Sequence, residues 1–170
     1  MSNRAAALLA LAVVALDRIT KVIVLQQMRI GETNPIVPGF FSLTHVRNRG
    51  AAFGLLADAG AFRDAFLIFV AVAAVGALSW LLVHMETDRL WERAGAAAVI
   101  GGALGNLYDR LAYGSVVDFL DVYYRQWHWP AFNVADSAIT VGVIVLLLAS
   151  FSGDQDVSVG VKREEPPGAR

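Results

Sequence analysis

Long apolar stretches alternate with shorter polar segments along most of the chain. A helix needs about 20 residues to cross a hydrocarbon core of about 30 Å, and residues 65–83 are apolar without a single charge. Three further apolar stretches, each with charge at or near one end, are residues 5–25, 94–108 and 131–151. The pattern predicts four transmembrane helices.

The first apolar stretch could be mistaken for a secretory signal peptide, because Arg4 precedes it. A cleavable signal would continue into a small-residue cleavage site. Here the charged run Asp17-Arg18-Ile19-Thr20-Lys21 leads instead into further apolar residues. We therefore expect the stretch to be retained as the first spanning helix.

The polar segments between the apolar stretches differ in character. Within residues 29–64, residues 41–46 alternate between apolar and polar side chains, as in a strand with one covered face. Residues 119–129 hold two Tyr and two Trp, a composition typical of the membrane surface. Residues 153–170 are rich in charge, Pro and Gly, and we expect a disordered tail there.

Composition agrees with a membrane protein and excludes several functions. Of 170 residues, 56% are hydrophobic and 17% charged, and the mean hydropathy is +0.54, whereas soluble proteins are about 25% charged. The net charge of −1 gives no reason to expect a nucleic-acid partner. Without cysteine, disulfides, thiolate nucleophiles and zinc ribbons are excluded. Basic residues number six on each predicted side of the membrane, so the positive-inside rule does not fix the orientation.

Carboxylates within or beside apolar helices are candidates for function, because a charge at the bilayer centre costs at least about 2.5–3.5 kcal/mol. Asp17 has Lys21 four residues further along the same helix face, which favours a structural pair. Asp109 shares a face with Asn106 and Arg110, so it too has possible local partners. Alternatively, the N–H groups of the Arg110 guanidinium could donate hydrogen bonds to a ligand.

Asp118 and Asp136 have no basic residue within four positions. If Pro130 opens the fourth helix, Asp136 lies about 9 Å into it, and antiparallel packing of the third and fourth helices brings the two carboxyls together. The alternative is that the two aspartates lie apart, each at a helix end and hydrated by water among the headgroups. The small residues of Gly101-x-x-x-Gly105 favour close helix packing and hence the pair.

Five blocks of the sequence carry recognisable motifs: residues 17–21 (DRITK), 48–53 (NRGAAF), 101–110 (GGALGNLYDR), 116–119 (VVDF) and 132–136 (FNVAD). Together they resemble the lipoprotein signal peptidases, the bacterial signal peptidase II family of intramembrane aspartic peptidases. The resemblance covers all four apolar stretches, and its blocks occur in the family's order.

The resemblance implies an aspartic endopeptidase of the bacterial cytoplasmic membrane, with both termini in the cytoplasm and the active site near the extracytoplasmic face. Such an enzyme removes signal peptides from diacylglyceryl-modified prolipoproteins and cuts just before the lipidated cysteine. By the resemblance, Asp118 and Asp136 are catalytic. The implied substrate-binding residues are Asn48, Asn106, Arg110 and Asn133, and the implied supporting residues are Asp17, Lys21 and Asp109.

The expected fold is an all-α membrane protein with four transmembrane helices, a small extracytoplasmic β-sheet cradle within residues 29–64 and an interfacial helix. Residues 1–152 would form the peptidase domain and residues 153–170 the cytoplasmic tail. The resemblance implies no metal and no cofactor. The expected partners are prolipoprotein substrates and membrane lipids, with a monomer as the working unit.

Two carboxyls in contact share one proton, so one can activate water while the other donates to the scissile carbonyl. Two other functions stay open at this point: a small proton- or ion-coupled transporter, with Asp17 and Asp136 as relay carboxylates, and a membrane scaffold without activity. The long polar segment at residues 29–64 and the lack of an internal repeat disfavour transport.

Overall fold

The computed structural model describes residues 1–50 and 60–153, which form four helices and one four-stranded antiparallel sheet. The helices are α1 (Asn3–Gln27), α2 (Gly60–His84), α3 (Leu90–Tyr113) and α4 (Val134–Gly153). The strands are β1 (Thr33–Val37), β2 (Phe41–Asn48), β3 (Val116–Tyr124) and β4 (Trp127–His128). Of the predicted tail at residues 153–170, all but residue 153 lies outside the described residues, as does part of the 48–53 block.

Each of the four apolar stretches forms a helix, as predicted. Among the described residues, two segments are long and apolar enough to cross a membrane, namely Phe62–His84 and Val134–Phe151. In the most apolar 18 residues of each segment, only 6% of the first and 11% of the second are buried within the chain. Apolar helices with so much exposed surface need an apolar surrounding, because that surface is costly to hydrate.

The start of α4 differs from the prediction. Pro130 does not open the helix, because the backbone at Phe132 pairs with Leu120 of β3 in an extended conformation. The helix begins at Val134, so Asp136 lies in its first turn rather than about 9 Å inside. Asn133 and Asp136 cap this start reciprocally: the Asp136 N–H donates to Asn133 Oδ1 at 2.9 Å, and the Asn133 N–H donates to Asp136 Oδ2 at 3.2 Å.

The sheet has the strand order β1-β2-β3-β4 and draws on two distant parts of the chain. Strand β2 pairs with β3 from Phe41 opposite Val122 to Asn48 opposite Val116. A register shift between Leu43 and Val46 puts a bulge in β2 beside the residue opposite Asp118, a device common near active sites.

Two parts of the expected fold need correction. The chain is not all-α with a cradle from residues 29–64 alone, because β3 and β4 come from the segment between α3 and α4. The aromatic residues 119–129 therefore lie largely in strands. The expected interfacial helix does not occur within residues 1–50 or 60–153, where every helix is one of the four apolar stretches.

Helix α3 packs against each of the other three helices, and its glycines permit the close approaches. A Cβ on Gly101 would lie 2.6 Å from the carbonyl oxygen of Ala10, and one on Gly105 would lie 2.6 Å from Asp17 Oδ2. The Gly101-x-x-x-Gly105 pair thus faces α1, not α4 as expected. Gly102 faces α4 instead, where an added Cβ would collide with the carbonyl oxygen of Ala135.

A buried arginine joins three helices where α2 ends and α3 begins. The Arg93 guanidinium has no exposed surface and donates to the carbonyl oxygen of Leu82 at 2.8 Å. It also donates to the carbonyl of Met85 and to the side-chain oxygen of Asn3. Its N–H groups donate hydrogen bonds to carbonyl oxygens at the end of α2 that have no N–H partner within the helix.

Candidate active site

A cleft of about 1010 Å³ lies where the sheet meets the ends of the helices. Asp118 reaches it from β3 and Asp136 from the first turn of α4. The charged, amide and hydroxyl side chains on its wall are those of Arg47, Asn48, Arg49, Arg63, Asn106, Arg110, Asp118, Asp136, Ser137 and Thr140. The structure therefore brings together the two aspartates that the sequence singled out.

Asparagine side chains connect the two carboxyls. Asn133 donates from Nδ2 to Asp118 Oδ1 at 2.7 Å and to Asn106 Oδ1 at 3.2 Å. Asn106 in turn donates from its own Nδ2 to Asp136 Oδ1 at 2.7 Å. Asn48 donates to the other oxygen of Asp118 at 3.0 Å. Each carboxyl is thus held in one orientation by amide donors on neighbouring elements.

The environment of Asp118 favours its protonated form. Burial, and after it the charge of Asp136, raise the pKa of Asp118 to about 7, while the hydrogen bonds from Asn48 and Asn133 lower it. A carboxyl with a pKa near 7 keeps its proton in roughly half of the molecules at neutral pH. It can therefore donate that proton to a reacting group.

The residues implied to bind substrate occupy two different places. Asn48, Asn106 and Arg110 lie on the wall of the cleft. The half-buried Arg110 donates to the carbonyl oxygen of Asn106 at 3.3 Å, a bond that uses one of its five N–H donors. Asn133 has no exposed surface. Its described contacts are with the two carboxyls and their neighbours, so direct contact with a substrate does not fit its position.

The supporting residues form a buried ionic cluster between α1 and α3. Lys21 Nζ lies 2.9 Å from Asp17 Oδ2, 2.9 Å from Asp109 Oδ2 and 3.0 Å from Asn106 Oδ1. Asp17, Lys21 and Asp109 have no exposed surface. Asp17 also accepts from the backbone N–H of Ala135, next to Asp136, at 3.0 Å. The cluster therefore contacts both Asn106 and the start of α4.

Asp109 has other partners than those expected from sequence. Its ion pairs are with Lys21 and Arg18 of α1, and it accepts from the backbone N–H of Val117, one residue before Asp118, at 3.1 Å. Sequence reasoning assigned no role to Arg18, which also lies 4.2 Å from the ring centroid of Tyr108. Arg18 follows Asp17 directly, so the sequence shows a second cation beside the cluster. Its partner, Asp109, lies 91 residues further along the chain.

Sequence reasoning also gave no role to three arginines on the cleft wall, Arg47, Arg49 and Arg63. Two of them flank Asn48 in the run Arg47-Asn48-Arg49, which was a visible signal. The structure, unlike the sequence, shows that the three share one cavity with the aspartates.

Comparison with known proteins identifies the family. The family model described as signal peptidase (SPase) II matches residues 9–152. The lipoprotein signal peptidase of Syntrophotalea carbinolica is 49% identical over 144 residues, which cover 85% of this chain and 89% of that one. That of Geobacter sulfurreducens is 48% identical over 131 residues, which cover 77% and 81%.

Two solved structures, each described as a bacterial membrane enzyme, share the fold. One has a TM-score of 0.82 at 31% identity and covers 97% of this chain and 96% of its own. The other has a TM-score of 0.75 at 33% identity and covers 87% and 93%. With helices long enough to cross a membrane and a match along most of its length, the chain belongs to the signal peptidase II family of aspartic peptidases.

Proposed function

We propose that this aspartic peptidase removes the signal peptides of diacylglyceryl-modified prolipoproteins and cuts just before the lipidated cysteine, with Asp118 and Asp136 as its catalytic pair. The observation that carries the proposal is the placement of these two buried carboxyls on one cleft, joined through Asn133 and Asn106. The cleft lies at the ends of helices whose outer surfaces are apolar and exposed, so a membrane-anchored substrate can reach it from the bilayer.

The pair works by sharing one proton. The ionised carboxyl takes a proton from a water molecule, whose oxygen bonds to the scissile carbonyl carbon while the protonated carboxyl donates to the carbonyl oxygen. When the tetrahedral intermediate collapses, the C–N bond breaks, the amine nitrogen receives the proton taken from the water, and the carboxyl that donated regains its own. The raised pKa of Asp118 favours Asp118 as the donor, although the two groups titrate as a unit.

The amides and Arg110 have different parts in this reaction. Asn106, Asn133 and Asn48 hold the carboxyl oxygens in fixed orientations. Arg110, on the wall of the same cleft, supplies further N–H donors to the peptide backbone and to charge that develops on the carbonyl oxygen. Asn48 and Asn106 also lie where a substrate would contact them. Asn133 acts on the carboxyls and not on the substrate.

Asp17, Lys21 and Asp109 support the site without contacting substrate. Lys21 pairs with both acids, and Arg18 supplies the second positive charge at Asp109. Because the cluster binds Asn106, Ala135 and Val117, it fixes the elements that carry both carboxyls. Loss of Lys21 would remove the cation that pairs with the buried Asp17, and an unpaired buried charge is strongly destabilising.

The four helices together span the membrane in this proposal. Helices α1 and α3 have 25 and 24 residues, a length of about 36 Å at about 1.5 Å per residue. The buried charges Asp17, Lys21, Arg93 and Asp109 face other helices and not lipid. We place the chain in the bacterial cytoplasmic membrane as a monomer, with both termini in the cytoplasm and the sheet and cleft on the extracytoplasmic side.

Cleavage of a defined substrate tests the function. The full chain, purified in detergent, is mixed with a diacylglyceryl-modified prolipoprotein, and the products are weighed by mass spectrometry. We expect one cut, immediately before the modified cysteine. The same prolipoprotein without the lipid serves as the control and should be cut far more slowly. An intact lipidated substrate, or a cut at another bond, would overturn the proposal.

A further inference from the structure

The cleft has more positive charge than its two aspartates can balance. Its described wall includes four arginines and two acids, and one further acid, Asp64, pairs with Arg63. These arginines are Arg47, Arg49, Arg63 and Arg110. These are four of the six basic residues counted on this predicted side of the membrane, so most of its positive charge lies in one cavity.

Two of the four arginines form no ion pair within the described residues, and the acid that interacts with Arg49 at longer range is Asp64, which already pairs with Arg63. Arg63 Nε lies 2.8 Å from Asp64 Oδ1, and Arg110 donates to a backbone carbonyl. Arg47 lies over the ring of Tyr113, 5.0 Å from its centroid, and is half-buried. Arg49 is exposed. Within residues 1–50 and 60–153, neither Arg47 nor Arg49 forms an ion pair.

The position of these arginines corresponds to the lipid headgroups. Arg63 is the second residue of the membrane-length segment Phe62–His84, and it shares the cleft with Arg47 and Arg49. Val141, about two turns into α4, is 58% exposed and lines the same cleft. The cleft therefore opens both at the membrane boundary and toward the acyl chains, as a bound lipid molecule requires.

The proposed substrate does not neutralise this charge, because its diacylglyceryl group carries no phosphate. We propose that Arg47 and Arg49 bind the phosphate of an anionic phospholipid at the mouth of the cleft, beside the substrate. A guanidinium presents parallel N–H groups that match two phosphate oxygens, and basic side chains near a membrane surface attract anionic lipids. The binding concerns a lipid that is not cleaved, so it can be measured without any peptidase activity.

Lipid retention by the full chain tests the proposal. The protein, in detergent micelles doped with equal amounts of phosphatidylglycerol and phosphatidylcholine, is examined by native mass spectrometry for bound lipid. We expect one phosphatidylglycerol to be retained in preference to phosphatidylcholine. Arg49→Gln should weaken that retention about fivefold, and Arg47→Gln with Arg49→Gln by more than tenfold.

Two further variants test whether retention depends on the position and on the charge of Arg47 and Arg49. Arg125→Gln removes an arginine in the turn between β3 and β4 that is not on the cleft wall, and it should retain phosphatidylglycerol like the unchanged chain. Replacing both Arg47 and Arg49 by lysine keeps the charge but loses the parallel N–H groups, so retention should fall less than in the double Gln variant. Because Arg49 is exposed, its single variant remains informative if the double variant fails to fold.

Three results would overturn the proposal. One is equal retention of the two lipids by the unchanged chain, and another is undiminished phosphatidylglycerol retention by the double Gln variant. The third comes from adding inorganic phosphate: if it binds at the arginines while phosphatidylglycerol does not, the site is one for a free anion. Loss of prolipoprotein cleavage would affect the proposed function alone and leave these results unchanged.

Discussion

Asn133 contacts both carboxyls, and it does so with different groups. Its side-chain nitrogen donates to Asp118, its backbone N–H donates to Asp136, and its side-chain oxygen accepts from the Asp136 N–H. One residue therefore fixes a strand carboxyl relative to a helix carboxyl. The spacing Asn-x-x-Asp that produces this cap is visible in the sequence, whereas the bond to Asp118 depends on the sheet.

Replacing either carboxyl by its amide should abolish cleavage. Asp118→Asn and Asp136→Asn each remove one of the two groups that exchange protons with water and substrate, and we expect kcat/KM to fall by about a thousandfold or more. Asp121→Asn is the matched control, because Asp121 lies on the same strand but pairs with His128 at 2.9 Å, away from the cleft wall. A tenth of normal activity in either folded variant would contradict the assignment.

The pKa of Asp118 predicts how activity depends on pH. With a pKa of about 7, Asp118 loses its proton as the pH rises above 7, so kcat/KM should decline by about tenfold per unit well above that value. Because the folded-state pKa lies above the unfolded value of about 3.9, Asp118 stabilises the fold at low pH and loses that contribution between about pH 4 and 7. Initial rates from pH 5 to 9 test the prediction, and constant kcat/KM from pH 6 to 9 would contradict it.

At the scale of single residues, the sequence identified those whose partners lie nearby in the chain. Asp17 and Lys21 are four residues apart on one helix, and their predicted pairing is present. Asp109 was assigned the neighbours Asn106 and Arg110, but its ion pairs are with α1. Contacts between helices depend on how each helix is rotated about its axis and on its position along the neighbouring helix, and local spacing in the sequence determines neither.

At the scale of elements, helices were predictable and strand pairing was not. An apolar stretch of membrane length specifies a helix by itself, because every backbone hydrogen bond forms within it. Strand β3 pairs with β2, some seventy residues earlier in the chain, and nothing local reveals that partner. Its aromatic C-terminal part suggested a membrane surface, while the first four residues of β3 are buried.

The glycines of α3 offer a test at this scale. Gly102→Ala would place a methyl group against the backbone of Ala135, so α3 and α4 must separate, and we expect a loss of about 1–3 kcal/mol in unfolding free energy. Cleavage should also slow, because Ala135 precedes Asp136. Thermal unfolding in detergent and kcat/KM give the two measurements.

Gly76→Ala in α2 is the matched control, since among the described residues no atom beyond the adjoining backbone of its own helix lies within 4 Å of the added Cβ. A better helix former there should leave the chain as stable or raise its stability by up to about 1 kcal/mol. If Gly102→Ala were as stable as Gly76→Ala, the close contact between α3 and α4 would not matter for stability.

At the scale of the whole molecule, two clusters of buried charged groups lie apart from each other within the described helices. One holds the carboxyls and the α1–α3 ion pairs, and the other is Arg93 with the ends of α1 and α2. We expect Arg93→Met to lower the free energy of unfolding by about 1–3 kcal/mol, because the carbonyl oxygens of Leu82 and Met85 lose their hydrogen bonds from Arg93. The protein that remains folded should keep its kcat and KM.

Thermal unfolding and steady-state kinetics distinguish these two effects. Arg89→Met is the control, because Arg89 is exposed and pairs with Glu92 at the helix surface, where such pairs contribute at most about 1 kcal/mol. A large change in the KM of folded Arg93→Met would instead mean that the Arg93 cluster influences the cleft.

The order of strands in the sheet also bears on how copies of the chain behave when crowded in a bilayer. An unpaired strand edge invites a second molecule to extend the sheet, which leads to aggregation. Here one edge is β4, which has only two residues, and the other is β1, which carries Pro35 and a register irregularity between Pro35 and Val37. Proline lacks an N–H, and a bulge interrupts the ladder. The described sheet therefore presents no continuous edge on which a neighbouring copy could add a strand.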